Sequence, residues 1–107
     1  MIVDLRIYTI KPGRVAEFVA IYKQHGWAIQ SRILGNCVGW YTTIEGELNT
    51  VVHMWGYQSQ ADREARRAKM AADPEWQVYL KKVGELGLLE KMQNRIVVPT
   101  DFSPKPG

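Results

Sequence analysis

Two short stretches of the chain place chemically capable side chains at every second position. In Asp4–Tyr8 an acid, a guanidinium and a phenol (Asp4, Arg6, Tyr8) alternate with Leu5 and Ile7. In His53–Tyr57 an imidazole, an indole and a phenol (His53, Trp55, Tyr57) alternate with Met54 and Gly56. A period of two puts each trio on one face of a β-strand. An imidazole beside a carboxylate and a guanidinium can titrate near neutrality and serve as general acid or base. The same residues can also form a hydrogen-bonded network that satisfies polar groups in an interior. Asp4, Arg6, Tyr8, His53, Trp55 and Tyr57 are therefore the candidate pocket, with no catalytic role assigned to any of them. Asp4 with Arg6 reads equally as an intrastrand or interface ion pair and as a substrate clamp.

Other chemistries find little support. The chain has two histidines, His25 and His53, and one cysteine, Cys37, without close ligand spacing, so no metal site is expected. One histidine could hold a haem, but His25 falls at a helix end and reads as a cap or surface residue. Cys37 has no base near it in sequence and reads as a small buried residue. Trp27, Trp40 and Trp76 read as packing. "KPG" at 11–13 lacks the pattern of a phosphate-binding loop, and no cofactor is assigned. The net charge of +3 mixes signs, and the densest run, "DREARRAK" at 62–69, holds two acids. It reads as a solvated helix face and not as a nucleic-acid patch. Asp4 and Arg6 interrupt the N-terminal apolar run, which excludes a signal-peptide core or a membrane span there.

The elements that must position these residues follow from periodicity. At 107 residues, 46% hydrophobic, the chain suits one globular domain. "IVDLRIYTI" is a strand that ends at Pro12–Gly13. Val15, Phe18, Val19, Tyr22 and Ile29 share a helix face, interrupted at His25–Gly26, with "WAIQSR" as a second helical piece. Strands are expected at Asn36–Ile44 and Thr50–Tyr57, joined through "EGELN" as a hairpin. Gly35 and Gly39, flanking Cys37, allow close approach or a bend. Ser59 opens a helix with Asp62 at the third position. The stripe Ala61, Ala65, Ala68, Ala72 is expected to seat that helix close to the sheet. Asp73 and Pro74 start another helix with Trp76, Tyr79, Leu80 and Val83 on its apolar face, ending near Gly84 and Gly87. Asn94–Thr100 reads as a last strand. Residues 1–100 form the domain and 101–107 an extended arm.

The order strand, helix, strand, strand, helix, strand leads to a ferredoxin-like α+β sandwich, a four-stranded antiparallel sheet with helices on one face. Val3, Leu5 and Ile7 are expected to face the helices, leaving Asp4, Arg6, Tyr8 and, on the neighbouring strand, His53 on the bare face. A second copy of the chain would cover that face, closing two sheets into a barrel with a shared interior.

"LRIYTIKPGRVAEF", "VVHMWGYQSQADREARRAKMAADPEWQVYL" and "QNRIVVPTDFSP" resemble, in order and spacing, the NIPSNAP family over about residues 1–104. The family is similar in fold to the dimeric α+β barrel superfamily, which includes small monooxygenases, haem-handling enzymes and ligand-binding proteins. The resemblance implies a homodimer with a barrel pocket and implies no particular reaction. Eukaryotic members are associated with mitochondria and vesicle transport. This chain shows no targeting extension, so a stand-alone, bacterial-type cytoplasmic protein is expected. The leading expectation is a homodimer that binds a small, partly apolar molecule, with cofactor-free oxygenase or isomerase chemistry as its catalytic form. The alternative is a non-catalytic interaction or scaffold protein that uses the "DREARR" face and the C-terminal arm. The same topology also binds RNA in other proteins, but the aromatic RNA-binding run is absent, and no nucleic-acid partner is expected.

Overall fold

The computed structural model describes residues 1–105. Eight elements follow one another: β1 (Ile2–Ile10), α1 (Val15–His25), α2 (Trp27–Leu34), β2 (Cys37–Thr42), β3 (Thr50–Tyr57), α3 (Gln60–Ala71), α4 (Pro74–Leu86) and β4 (Leu89–Val97). The strands form one antiparallel sheet in the order β2-β3-β1-β4. This is the ferredoxin-like α+β arrangement, with the helices in one layer.

Local chemistry sets the boundaries. The Ser59 hydroxyl accepts from the Asp62 amide at 3.1 Å, and the Asp62 carboxylate accepts from the Gln58 amide at 3.0 Å. Two orphan donors are thereby satisfied at the start of α3. Asp73 caps α4 by accepting from the Glu75 and Trp76 amides, with Pro74 in the first turn. The bend between α1 and α2 falls at Gly26, where a β-carbon would come within 2.9 Å of the Tyr22 ring and 3.1 Å of the Tyr79 ring. Two aromatic rings therefore rest on bare backbone there. In β2 the register shifts between Cys37 and Gly39. The Tyr41 phenol lies over Gly39, leaving no room for a side chain.

Several expectations need correction. The helices cover the opposite sheet face from the one expected. Asp4, Arg6, Ile10, Val51, His53, Trp55 and Tyr57 are buried beneath them, while Leu5, Ile7, Val52 and Met54 lie on the uncovered face, only partly buried. Polar residues can lie inside because every charge on Asp4 is met. Arg6 Nη1 and Arg63 Nε reach one carboxylate oxygen at 3.1 and 3.0 Å, and Asn94 reaches the other at 3.0 Å. The alanine stripe of α3 does not seat the helix: Ala61, Ala65, Ala68 and Ala72 are exposed. The "DREARR" face is only partly solvated. Arg63, Arg66 and Arg67 are half-buried against the sheet and α2, and Arg66 Nη1 caps the end of α2 by donating to the Ile33 and Leu34 carbonyls. Long aliphatic stems supply the packing that alanines were expected to give.

The last strand runs Leu89–Val97 and not Asn94–Thr100. It is an edge strand, almost wholly exposed, and its Glu, Lys, Gln and Arg hide the alternation of a half-buried strand. The segment after it turns at Thr100–Ser103 and lies along the Val3 end of the uncovered face, where Pro99, Ser103 and Pro104 border a groove with Val38 and Met54. Of the arm expected at 101–107, Pro106 and Gly107 lie outside the described residues.

Candidate functional site

A cavity of about 300 Å³ lies between the sheet and the helices. Its floor is built by the strands. β1 contributes Arg6 and Tyr8, β2 Trp40, β3 His53, and β4 Leu89 and Met92. The register explains this grouping, since Arg6 pairs with His53 and Asn94, His53 pairs with Trp40, and Tyr8 pairs with Met92. Directly opposed residues share a face. The bulge in β2 is what brings Trp40, and not its neighbour, over His53. The roof comes from helical spacing: Phe18 and Tyr22 on α1, and Trp76, Tyr79, Leu80 and Val83 on α4. Arg67 and Met70 of α3 and Gln30 of α2 complete it.

Of the six candidate residues, Arg6, Tyr8 and His53 line this cavity. Asp4, Trp55 and Tyr57 share the same sheet face but lie farther along it, buried behind the lining. Asp4 is the counter-ion of Arg6 and Arg63. Burial pushes its carboxyl up, but the Asn94 amide and the Arg63 and Arg6 guanidinia more than offset this and hold it below the ordinary aspartate value. Arg6 also donates from Nε to the Tyr8 hydroxyl at 3.0 Å and stacks over that ring.

His53 is held on all sides. The Trp55 indole N–H donates to its Nδ1 at 2.7 Å, Trp40 stacks on its face with ring centroids 5.3 Å apart, and Tyr8 meets it edge-on at 4.7 Å. Among the described residues its Nε2 has no hydrogen-bond partner. Burial first, and the Arg6 charge second, push the imidazole pKa down to about 3, with Asp4 only partly opposing. The expectation of a histidine titrating near neutrality is therefore corrected. The nearby carboxylate is already spent on two guanidinia, and desolvation outweighs what remains. A base this weak takes a proton poorly at neutral pH.

Trp40 and Trp76, read from sequence as packing, both line the cavity, as does Arg67. Their signal was present in the composition of the helix faces. Phe18, Tyr22, Trp76 and Tyr79 are all aromatic where an ordinary core would be largely aliphatic. Cys37 is half-buried on β2, opposite Trp55, and burial pushes its thiol up, away from reactivity. His25 ends α1, away from the cavity lining. Among the described residues no cluster of three or more His, Cys, Asp or Glu could hold a metal ion, and no helix is long and apolar enough to cross a membrane.

The fold and the cavity define a ferredoxin-like α+β domain with an aromatic pocket between sheet and helices. The NIPSNAP family model matches residues 3–104, and the chain belongs to the NIPSNAP family. A crystal structure of a NIPSNAP family protein from Agrobacterium tumefaciens C58 is 46% identical, with 96% of each chain covered and a TM-score of 0.91. Protein NipSnap homolog 3A of Pongo abelii is 32% identical over 95 residues, 87% of this chain and 37% of that protein. The chain thus spans well under half the length of this relative. An antibiotic biosynthesis monooxygenase shares the fold at 10% identity and a TM-score of 0.61, over 94% of this chain and 99% of that one.

Proposed function

We propose that the protein is a homodimer whose protomers each bind a small, partly apolar molecule in the cavity between sheet and helices. The observation that carries this is the cavity itself, about 300 Å³ of aromatic-lined space that contains the unpartnered polar edge of His53. Interiors normally close such a void, and a buried N–H normally finds a partner. A pocket of this size, mostly apolar with few polar groups, is the usual form of a small-molecule site. The location differs from the sequence expectation. The ligand would sit under the helices of one protomer and not in an interior shared by two. The monooxygenase with the same fold keeps cofactor-free oxygenase or isomerase chemistry within this reading, with His53 and Arg6 polarising the substrate and no side chain of the pocket serving as a strong base.

A thermal-shift screen of aromatic and bicyclic metabolites tests the binding reading. Ala71→Trp fills the cavity mouth from an exposed helix position and so should leave the fold intact. A subset of compounds is expected to raise the melting temperature of the wild type and to have no effect on Ala71→Trp. Absence of any shift, together with native mass spectra free of co-purified ligand, would overturn it. The interaction-protein alternative would have to use a "DREARR" helix whose arginines are half-buried, with Glu64, Ala65, Ala68 and Lys69 exposed. It keeps one observation: Phe102 on the C-terminal arm is 85% exposed. Removal of residues 101–107 would abolish partner binding on that reading and leave ligand binding unchanged.

A further inference from the structure

The polar groups of the cavity are almost all donors. Its lining holds Arg6 and Arg67 but no Asp or Glu. The Gln30 carbonyl is occupied by the Tyr22 hydroxyl at 2.5 Å. The Trp55 indole can only donate, so its 2.7 Å bond to His53 Nδ1 requires a lone pair on that nitrogen. In the neutral ring the proton must then sit on Nε2. His53 is thus fixed as an Nε2–H donor, and protonating the ring would set two N–H groups against each other. This N–H has no acceptor among the described residues, and Trp40 stacks upon the ring that carries it. Arg6 spends Nε on Tyr8 and Nη1 on Asp4, while Nη2 makes no hydrogen bond among the described residues. Arg67 forms no ion pair among them either. Arg6 and Arg63 share the single carboxylate of Asp4, and Arg67 lines the cavity beside them, which leaves positive charge in a poorly solvated place.

We propose that the ligand of this cavity is a planar apolar acid, whose carboxylate or enolate oxygen accepts from His53 Nε2–H and from the free edge of Arg6. The inference rests on the reading of the cavity as a binding site and adds the charge and polarity of what it binds. An anionic acceptor would satisfy an orphan donor and balance the surplus guanidinium charge at once.

Three probes of one shape test it by calorimetry: 1-naphthoate, 1-naphthalenemethanol and 1-naphthylmethylammonium. Naphthoate is expected to bind at least about tenfold more tightly than the other two. His53→Phe, which keeps the ring and removes the donor, should lower naphthoate affinity about tenfold and change the alcohol little. Arg67→Gln, at a half-buried helix position, should act in the same direction if His53→Phe fails to fold. Nitrogen-15 NMR of the wild type should place the imidazole proton on Nε2. A proton on Nδ1, or equal binding of the ammonium or alcohol probe, overturns the proposal while leaving the cavity as a binding site. Binding of none of the three overturns this proposal too, while the cavity reading stands or falls separately on the metabolite screen and the native mass spectra.

Discussion

Asp4 shows how strongly one residue's role depends on its neighbours. It is fully buried, yet it is a charged group held by three donors. Asp4→Asn keeps the shape and removes the charge, leaving the buried Arg6 and the half-buried Arg63 without their counter-ion. Breaking a buried ion pair from one side costs roughly 3–5 kcal/mol, and urea unfolding of Asp4→Asn should show a loss of that order. A wild-type-like midpoint would mean that the guanidinia are solvated. The imidazole makes a prediction in pH. His53 is neutral in the fold down to about pH 3, whereas in the unfolded chain it takes a proton below about 6.5. Between those values the unfolded state binds more protons, so stability falls as the pH falls, by up to about 1.4 kcal/mol per pH unit. Asp4, also held below its ordinary value, adds to the same acid loss below pH 3.8. Replacing His53 by Phe should flatten the slope of unfolding free energy between pH 6 and 4. An unchanged slope would show that other groups carry it.

At the scale of elements, much was legible, but neither the start of β4 nor the packing of α3 and the sheet was. The bounds of β1 and β3, the Ser59 and Asp73 caps and the break at Gly26 all follow from residues whose local chemistry is decisive. The six candidate residues do share one sheet face, because a period of two does not depend on context. What sequence could not show was which face the helices take. The usual rule gives them the more apolar side. Here Leu5 and Met54 form one apolar face, while the mixed face is buried by arginines that the sequence presents as surface. The donors that make its burial possible come from positions 63 and 94, far from Asp4 in the chain. Gly26 gives the test at this scale. Gly26→Ala adds a methyl group where the Tyr22 and Tyr79 rings already lie at contact distance. The backbone there tolerates alanine, so the cost falls on the rings, at roughly 1–3 kcal/mol for an overpacked site. Both rings roof the cavity. Reduced melting temperature with weakened naphthoate binding is expected, and stabilisation by the added methyl would show that the rings yield freely.

For the whole molecule, the aliphatic face left uncovered is the outstanding feature. Leu5, Ile7, Val52 and Met54 are only partly buried on the side away from the helices, and the arm that follows β4 shields no more than the Val3 end. Sheet faces this apolar are costly in water, since burying each such side chain is worth about 1.5–3 kcal/mol. A ligand does not relieve this cost, because the cavity lies on the opposite face. A second copy relieves it for both partners at once, through an isologous contact that uses the same face on each. The exposed Val98 borders the groove at the edge of that face and would extend the contact. In the barrel proposed from sequence, the polar set would have met across the two-fold. In the dimer proposed from the structure the aliphatic set does so, and each protomer keeps its own cavity. Leu5→Arg puts a charge at the centre of the contact, paired in register with Met54 on one side and Arg95 on the other. Beside Arg95 it also adds like-charge repulsion. Light scattering after size exclusion should give a dimer for the wild type and a monomer for Leu5→Arg. Asp4, Arg6 and His53 are untouched by the change, so their burial under the helices should persist. A wild type that runs as a monomer at micromolar concentration would remove the dimer and leave the cavity's own chemistry intact.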